Sequence, residues 1–154
     1  MNSNKEKTTT PAPKLPDINI NIFGEDKQNA LILGKIATDT EVDKIKLYNL
    51  ICNCEKNVND ILNTPKKIKA MYISKIRMAK NDNPKGYEDV PRIVFIFDDD
   101  SAVITFSIGV YIALKRLVSV FGEPPYNFNC VFRQLEKNKV RIYTIDVVAN
   151  DTEN

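Results

Sequence analysis

The stretch Ile108–Phe121, IGVYIALKRLVSVF, is the key to the architecture. Ile108, Ile112, Leu114, Leu117, Val118 and Phe121 recur at helical spacing and give it a wide apolar face. Ser107 is a good N-cap, Gly122 suits the left-handed position that closes a helix, and Pro124-Pro125 stop any continuation. Three strand-like runs precede this helix and two follow it. Strand–strand–strand–helix–strand–strand is the element order of the OB-fold, a five-stranded Greek-key barrel that often binds oligonucleotides.

Of the runs before the helix, the first is KKIKAMYISKIRMA, 66–79. Ile68, Ala70, Tyr72, Ile76 and Met78 share one parity, and Lys67, Lys69, Lys75 and Arg77 the other. A strand sends alternate side chains to opposite faces, so this one is expected to have a buried side and a basic side. Residues 81–90 carry turn residues and read as a loop. Arg92–Phe97 (RIVFIF) is apolar on both faces, 98–101 (DDDS) reads as a hairpin turn, and 102–106 (AVITF) as the third strand. After the helix, Phe128–Leu135 and Val140–Val148 are strands joined by a tight turn at 136–139.

Upstream, Ala30–Ile36 is a short apolar run, strand or turn-and-anchor. Thr38-Asp39-Thr40-Glu41 matches a capping box. Leu47, Leu50, Ile51, Cys54, Val58, Ile61 and Leu62 then follow helical spacing, with a break expected near 52–55, and Pro65 ends the segment. The expected class is mainly β with helices: a five-stranded OB-fold barrel (66–148) with a helix between strands 3 and 4. An N-terminal helical cover completes one domain, 30–149. Residues 1–29, polar and proline-bearing, read as a flexible tail in which Ile18–Ile22 alternates like an edge strand. Residues 150–154 read as a frayed end.

Composition excludes several chemistries. The 154-residue chain has no histidine, which removes the commonest general base and zinc ligand. Its five glycines are scattered, so there is no phosphate-cradling loop or dinucleotide fingerprint. No serine or cysteine has a neighbouring base to activate it. Asp98-Asp99-Asp100 reads as a solubilising turn rather than a metal site. Cys52, Cys54 and Cys130 read as free thiols in a reducing cytoplasm, the host's if the chain is viral. The expectation is a non-enzyme with no cofactor, no metal and no membrane span.

Net charge is only +2, but its distribution is uneven. Residues 65–97 hold eight basic and three acidic side chains, and a second basic group surrounds 133–141. In an OB-fold the oligonucleotide crosses strands 2 and 3, flanked by the loops joining strands 1–2 and 4–5. The candidate cations are therefore Lys67, Lys69, Lys75, Arg77, Lys80, Lys85 and Arg92 on one side, and Arg133, Lys137, Lys139 and Arg141 on the other. Tyr87, Phe95, Tyr126 and Tyr143 are the candidate base-stacking aromatics, because every base offers a ring face to stack on.

The span 66–148 resembles the small single-stranded DNA-binding proteins of tailed bacteriophages. It does so most specifically through Ser107, Gly109, Val110, Ala113, Leu114, Lys115, Arg116, Leu117, Phe121, Gly122, Pro124, Pro125 and Tyr126. The resemblance implies sequence-tolerant binding and protection of single-stranded DNA in phage replication or recombination. Phage replication proteins are further candidate partners, and a homo-oligomer is left open. The competing expectation is an OB-fold interaction or structural module of a phage, with 39–62 as its docking surface and no nucleic-acid binding.

Overall fold

The computed structural model describes residues 30–149; the expectations for 1–29 and 150–154 lie outside them. The protein is mainly β with two helices. In chain order the elements are β1 (Ala30–Gly34), α1 (Glu41–Cys52), a 3-10 turn (Val58–Ile61), β2 (Ile68–Ala79), β3 (Tyr87–Phe97), β4 (Ala102–Thr105), α2 (Ile108–Phe121), β5 (Asn129–Lys137) and β6 (Val140–Val148). β1 to β4 form a four-stranded antiparallel sheet in sequence order, and β5–β6 a separate two-stranded one.

Helix α2 has the bounds its sequence announces. Ser107 Oγ accepts from the Val110 amide at 3.1 Å, and Gly122 closes the helix at φ 81°. Its buried face is rotated from the expected one. Val110 and Tyr111 are buried with Leu114, Leu117 and Val118, whereas Ile108, Ile112 and Phe121 are exposed. Gly109 explains the rotation: an added Cβ would lie 2.5 Å from the Tyr143 carbonyl oxygen, so the helix packs on β6 backbone there. Gly109→Ala is expected to lower stability. Overpacking of this kind costs about 1–3 kcal/mol and outweighs the roughly 1 kcal/mol that alanine gains in helix propensity. A lower urea midpoint with an unchanged slope is the measurement that checks it.

The four-stranded sheet is apolar on both faces, as RIVFIF requires. On the inner face, pairing register aligns Leu31, Ile73 and Ile93, and beside them Leu33, Met71, Phe95 and Val103. These join Leu114, Val118, Cys130 and Phe132 in the main core. On the outer face, Tyr72, Val94 and Ile104 form one row and Ala70, Ile96 and Ala102 the next, covered by Leu47 and Leu50 of α1.

The expected basic side of β2 is split by a bulge. Ile68 pairs with Phe97 and Ala70 with Ile96, so two residues advance on β2 against one on β3, and Lys69 is the extra residue. Lys69 therefore joins the outer side with Ala70, bonding Asp100 in the β3–β4 turn, while Met71 and Ile73 of its expected parity turn into the main core. Gly34 faces the bulge at φ 103°, where a Cβ would lie 2.5 Å from the Lys69 carbonyl oxygen.

Other expectations shift by a residue or more. The N-cap of α1 is Thr40, accepting from the Asp43 amide at 3.0 Å, not Thr38. The helical stripe breaks after Cys52, and Asn57 and Asp60 supply a capping box for a fresh turn. β3 begins at Tyr87, shortening the expected loop. The last hairpin turns on Asn138 and Lys139 alone, both left-handed at φ 54° and 67°, the pattern of a two-residue turn.

The two sheets are not closed into one barrel. Among the described residues they meet at one antiparallel bridge, Lys66 with Cys130, whose amides and carbonyls exchange bonds of 2.9 and 2.7 Å. The Asn63 amide adds a bond to the Phe132 carbonyl at 2.9 Å. On the far side, the outer edge of β4 is taken by Asn57 and Lys56 rather than by β6.

Candidate nucleic-acid interface

Antiparallel pairing places acids of β3 beside cations of β2. Arg77 pairs in register with Asp89, and its Nε donates to that carboxylate at 3.2 Å. Its guanidinium also lies 3.7 Å from the Tyr87 ring centre, so Tyr87 is already stacked, on a protein cation. Lys80 donates to Glu88 at 3.3 Å. Arg92 lies on the outer face and donates to the Ile51 carbonyl at 2.5 Å. A cation at that last turn meets the partial negative charge of the α1 terminus.

In the last hairpin, Arg133 is equally occupied, donating to Asp146 at 2.6 Å and to Asn63 at 2.9 Å. The Tyr143 hydroxyl donates to Asn59 at 2.6 Å and accepts from Gln134 at 3.2 Å. These two residues tie the hairpin to the segment 59–63.

Two candidate aromatics are core residues. Phe95 is fully buried, edge-on to Phe132 at 5.0 Å between ring centres. Tyr126 is buried, stacks on Phe128 at 4.8 Å, and donates to the Gly122 carbonyl at 2.6 Å. Burial, with Cys130 and Glu123 nearby, pushes its phenol well above the usual range. Neither ring is available to a base.

The remaining candidates, Lys67, Lys75, Lys85, Lys137, Lys139 and Arg141, have no side-chain hydrogen bond or ion pair among the described residues. Lys75 and Lys85 belong to the β2–β3 hairpin, and Lys137, Lys139 and Arg141 to the β5–β6 hairpin. Because β5 runs antiparallel to the segment feeding β2, these hairpins leave the Lys66–Cys130 bridge in opposite directions. Three cavities lie elsewhere: under α1, between α2 and β6, and beside Tyr143. None of the three is lined by both hairpins.

The acidic turn is built as a turn. Asp99 accepts from the Ser101 hydroxyl and amide and from Lys66, which together hold its carboxyl well below the usual range. Asp100 is held low by Lys69 and Lys46. Among the described residues no acidic or thiol cluster could hold a metal ion.

The cysteines differ in environment. Cys52 is exposed, Cys54 half-buried and Cys130 buried. Burial pushes the Cys130 thiol up to about 12. At pH 8 a disulfide reagent is therefore expected to react with Cys52 in the native protein and to reach Cys130 only after denaturant is added. Counting released chromophore before and after denaturation checks this.

The sequence alone does not single out Lys46, Lys66 or Tyr72. Lys66 lies 5.6 Å from the Phe97 ring centre, and Tyr72 sits in the central row of the outer face. Their roles depend on the bulge and on α1, neither of which has a local signature. Comparison of the chain with family models, characterised proteins and solved structures returns no match. Among the described residues no helix is long and apolar enough to cross a membrane.

Proposed function

We propose that this protein binds single-stranded DNA without strong sequence preference, through an OB-type arrangement of β2 to β6. The observation that carries the reading is where unpaired positive charge is left over. Of the candidate cations, once those held by carboxylates and carbonyls among the described residues are set aside, Lys67 remains beside the bridge and Lys75, Lys85, Lys137, Lys139 and Arg141 remain on two hairpins. A cation without a protein partner can release a counterion from a phosphate; one already paired contributes far less.

Topology supports the same reading. Numbered from β2, the bridge at Lys66 sets β5 beside the lead-in to β2, on the edge that β1 takes from Ala70 to Ser74, giving the order β5–β2–β3–β4 at that end. This is the 4-1-2-3 arrangement of a Greek key, from which OB barrels are built. In an OB barrel the loops joining strands 1–2 and 4–5 flank the face of the second and third strands, which correspond here to β3 and β4, while the two basic hairpins leave the bridge in opposite directions. A role in phage DNA replication or recombination follows as part of the same proposal.

The test is fluorescence anisotropy with an unstructured oligothymidylate across a salt series. Micromolar or tighter binding at low salt, weakening as salt rises, is the expected result. No binding at low salt overturns the proposal.

A further inference from the structure

Everything between two buried anchors, Leu33 in β1 and Val58 in the 3-10 turn, is loosely held. No residue from 34 to 57 is buried. Within that span α1 has no regular structure on either flank: residues 35–38 and 54–56 are extended or irregular. Such a segment belongs to the least stable part of a fold, where opening costs little compared with global unfolding.

What α1 covers is a different kind of surface. The outer sheet face presents Tyr72, Val94 and Ile104 in one row and Ala70, Ile96 and Ala102 in the next. Leu47 and Leu50 pack on it from α1, but they leave a cavity of about 240 Å³. Lys46, Lys69 and Asp100 stand at its rim.

Among the described residues, two polar contacts fasten the helix. Lys46 donates to Asp100 at 3.0 Å, and Asp100 is shared with Lys69. These groups are substantially exposed, so salt screens the pair. Arg92 donates to the Ile51 carbonyl. Both Lys69 and Arg92 are thus engaged by, or beside, α1 when it is seated.

We propose that α1 is a displaceable strap over the outer face, seated in the free protein and lifted when single-stranded DNA occupies β2–β4. This rests on the DNA-binding reading above. Lifting α1 opens the half-buried Tyr72 ring further for base stacking and frees the Arg92 guanidinium for a phosphate, on a face that also carries Lys69. Leu33 and Val58 keep both ends of the strap attached, so displacement leaves the main core intact. The free protein is thereby held below its full affinity, because each binding event includes the cost of unseating the helix.

The experiment uses the full chain in two measurements. The first is amide hydrogen exchange with and without saturating oligothymidylate. Faster exchange across 41–52 in the complex, with slower exchange in β2 and β3, is expected; unchanged or slower exchange across 41–52 overturns the strap. The second is anisotropy of the double variant Leu47→Asn/Leu50→Asn, which loosens α1 without altering charge. At least tenfold tighter binding than the parent is expected, and equal or weaker binding by a folded variant overturns the strap. If neither chain binds the oligonucleotide at low salt, the DNA-binding reading falls and the strap's ligand with it. Binding with α1 still protected removes the strap alone.

Discussion

Phe132→Ala is expected to lower stability by about 3–5 kcal/mol, the usual cost of deleting a fully buried aromatic ring. Phe132 is completely buried and meets both Phe95 and Phe97 edge-on, at 5.0 and 6.4 Å between centres. With Cys130, it carries the last hairpin into the core of the four-stranded sheet. Its own carbonyl also accepts from the Asn63 amide. A domain of this size has a total stability of about 5–15 kcal/mol, so the variant should be largely or partly unfolded at 37 °C. Thermal melting followed by circular dichroism measures this. A loss under about 1 kcal/mol would mean that the hairpin is not packed against β3 as described.

The second large effect is on binding. Replacing Lys137, Lys139 and Arg141 together by glutamine should weaken oligothymidylate binding at least tenfold at low salt. The slope of log affinity against log salt should fall by about 2, at roughly 0.7 for each phosphate of a single strand that is no longer neutralised. Stability should change by less than about 0.5 kcal/mol per site, because none of the three has a side-chain partner among the described residues. Arg133→Gln makes the contrast. It breaks the bonds to Asp146 and Asn63, so its main effect should be a lower melting temperature with the salt slope little changed. A triple variant that keeps the parent's salt slope would remove the last hairpin from the interface.

Legibility differs from element to element for physical reasons. Helix α2 is readable because its signals are local: a serine cap, an apolar stripe, then Gly122 and the prolines. The Asp98–Asp100 turn and the turn at Asn138-Lys139 are likewise written in adjacent residues. RIVFIF announces a strand covered on both faces, and both covers exist. The bulge at Lys69 is not readable, because alternation looks regular in the sequence and only pairing with β3 reveals the extra residue. That one slip separates Lys69 from Lys75.

The candidate interface is less legible than the fold. Charge type is visible in sequence, but charge availability is a property of register. Arg77 and Lys80 find Asp89 and Glu88 only once β2 and β3 are aligned. Arg92 finds a helix end 41 residues away, and Arg133 an asparagine 70 residues away. Phe95 and Tyr126 look eligible because charges or loop residues neighbour them in sequence, while their rings turn inward. Tyr72, by contrast, has the parity expected of the buried side and stands on the outer face, packed on the same small cluster as Leu47 and Leu50 of α1.

The bridge between Lys66 and Cys130 has a bearing on how the molecule is made. It joins the start of β2 to residues translated much later, and Phe132 fills the space between Phe95 and Phe97 from that same late strand. A nascent chain that has emerged only as far as α2 therefore carries a sheet whose Phe95 and Phe97 rings lack the Phe132 ring that they meet edge-on in the folded domain. Contacts so distant in sequence make folding slow and leave apolar surface open during synthesis. The final hairpin works as a keystone: the domain becomes self-supporting only after the ribosome has delivered it.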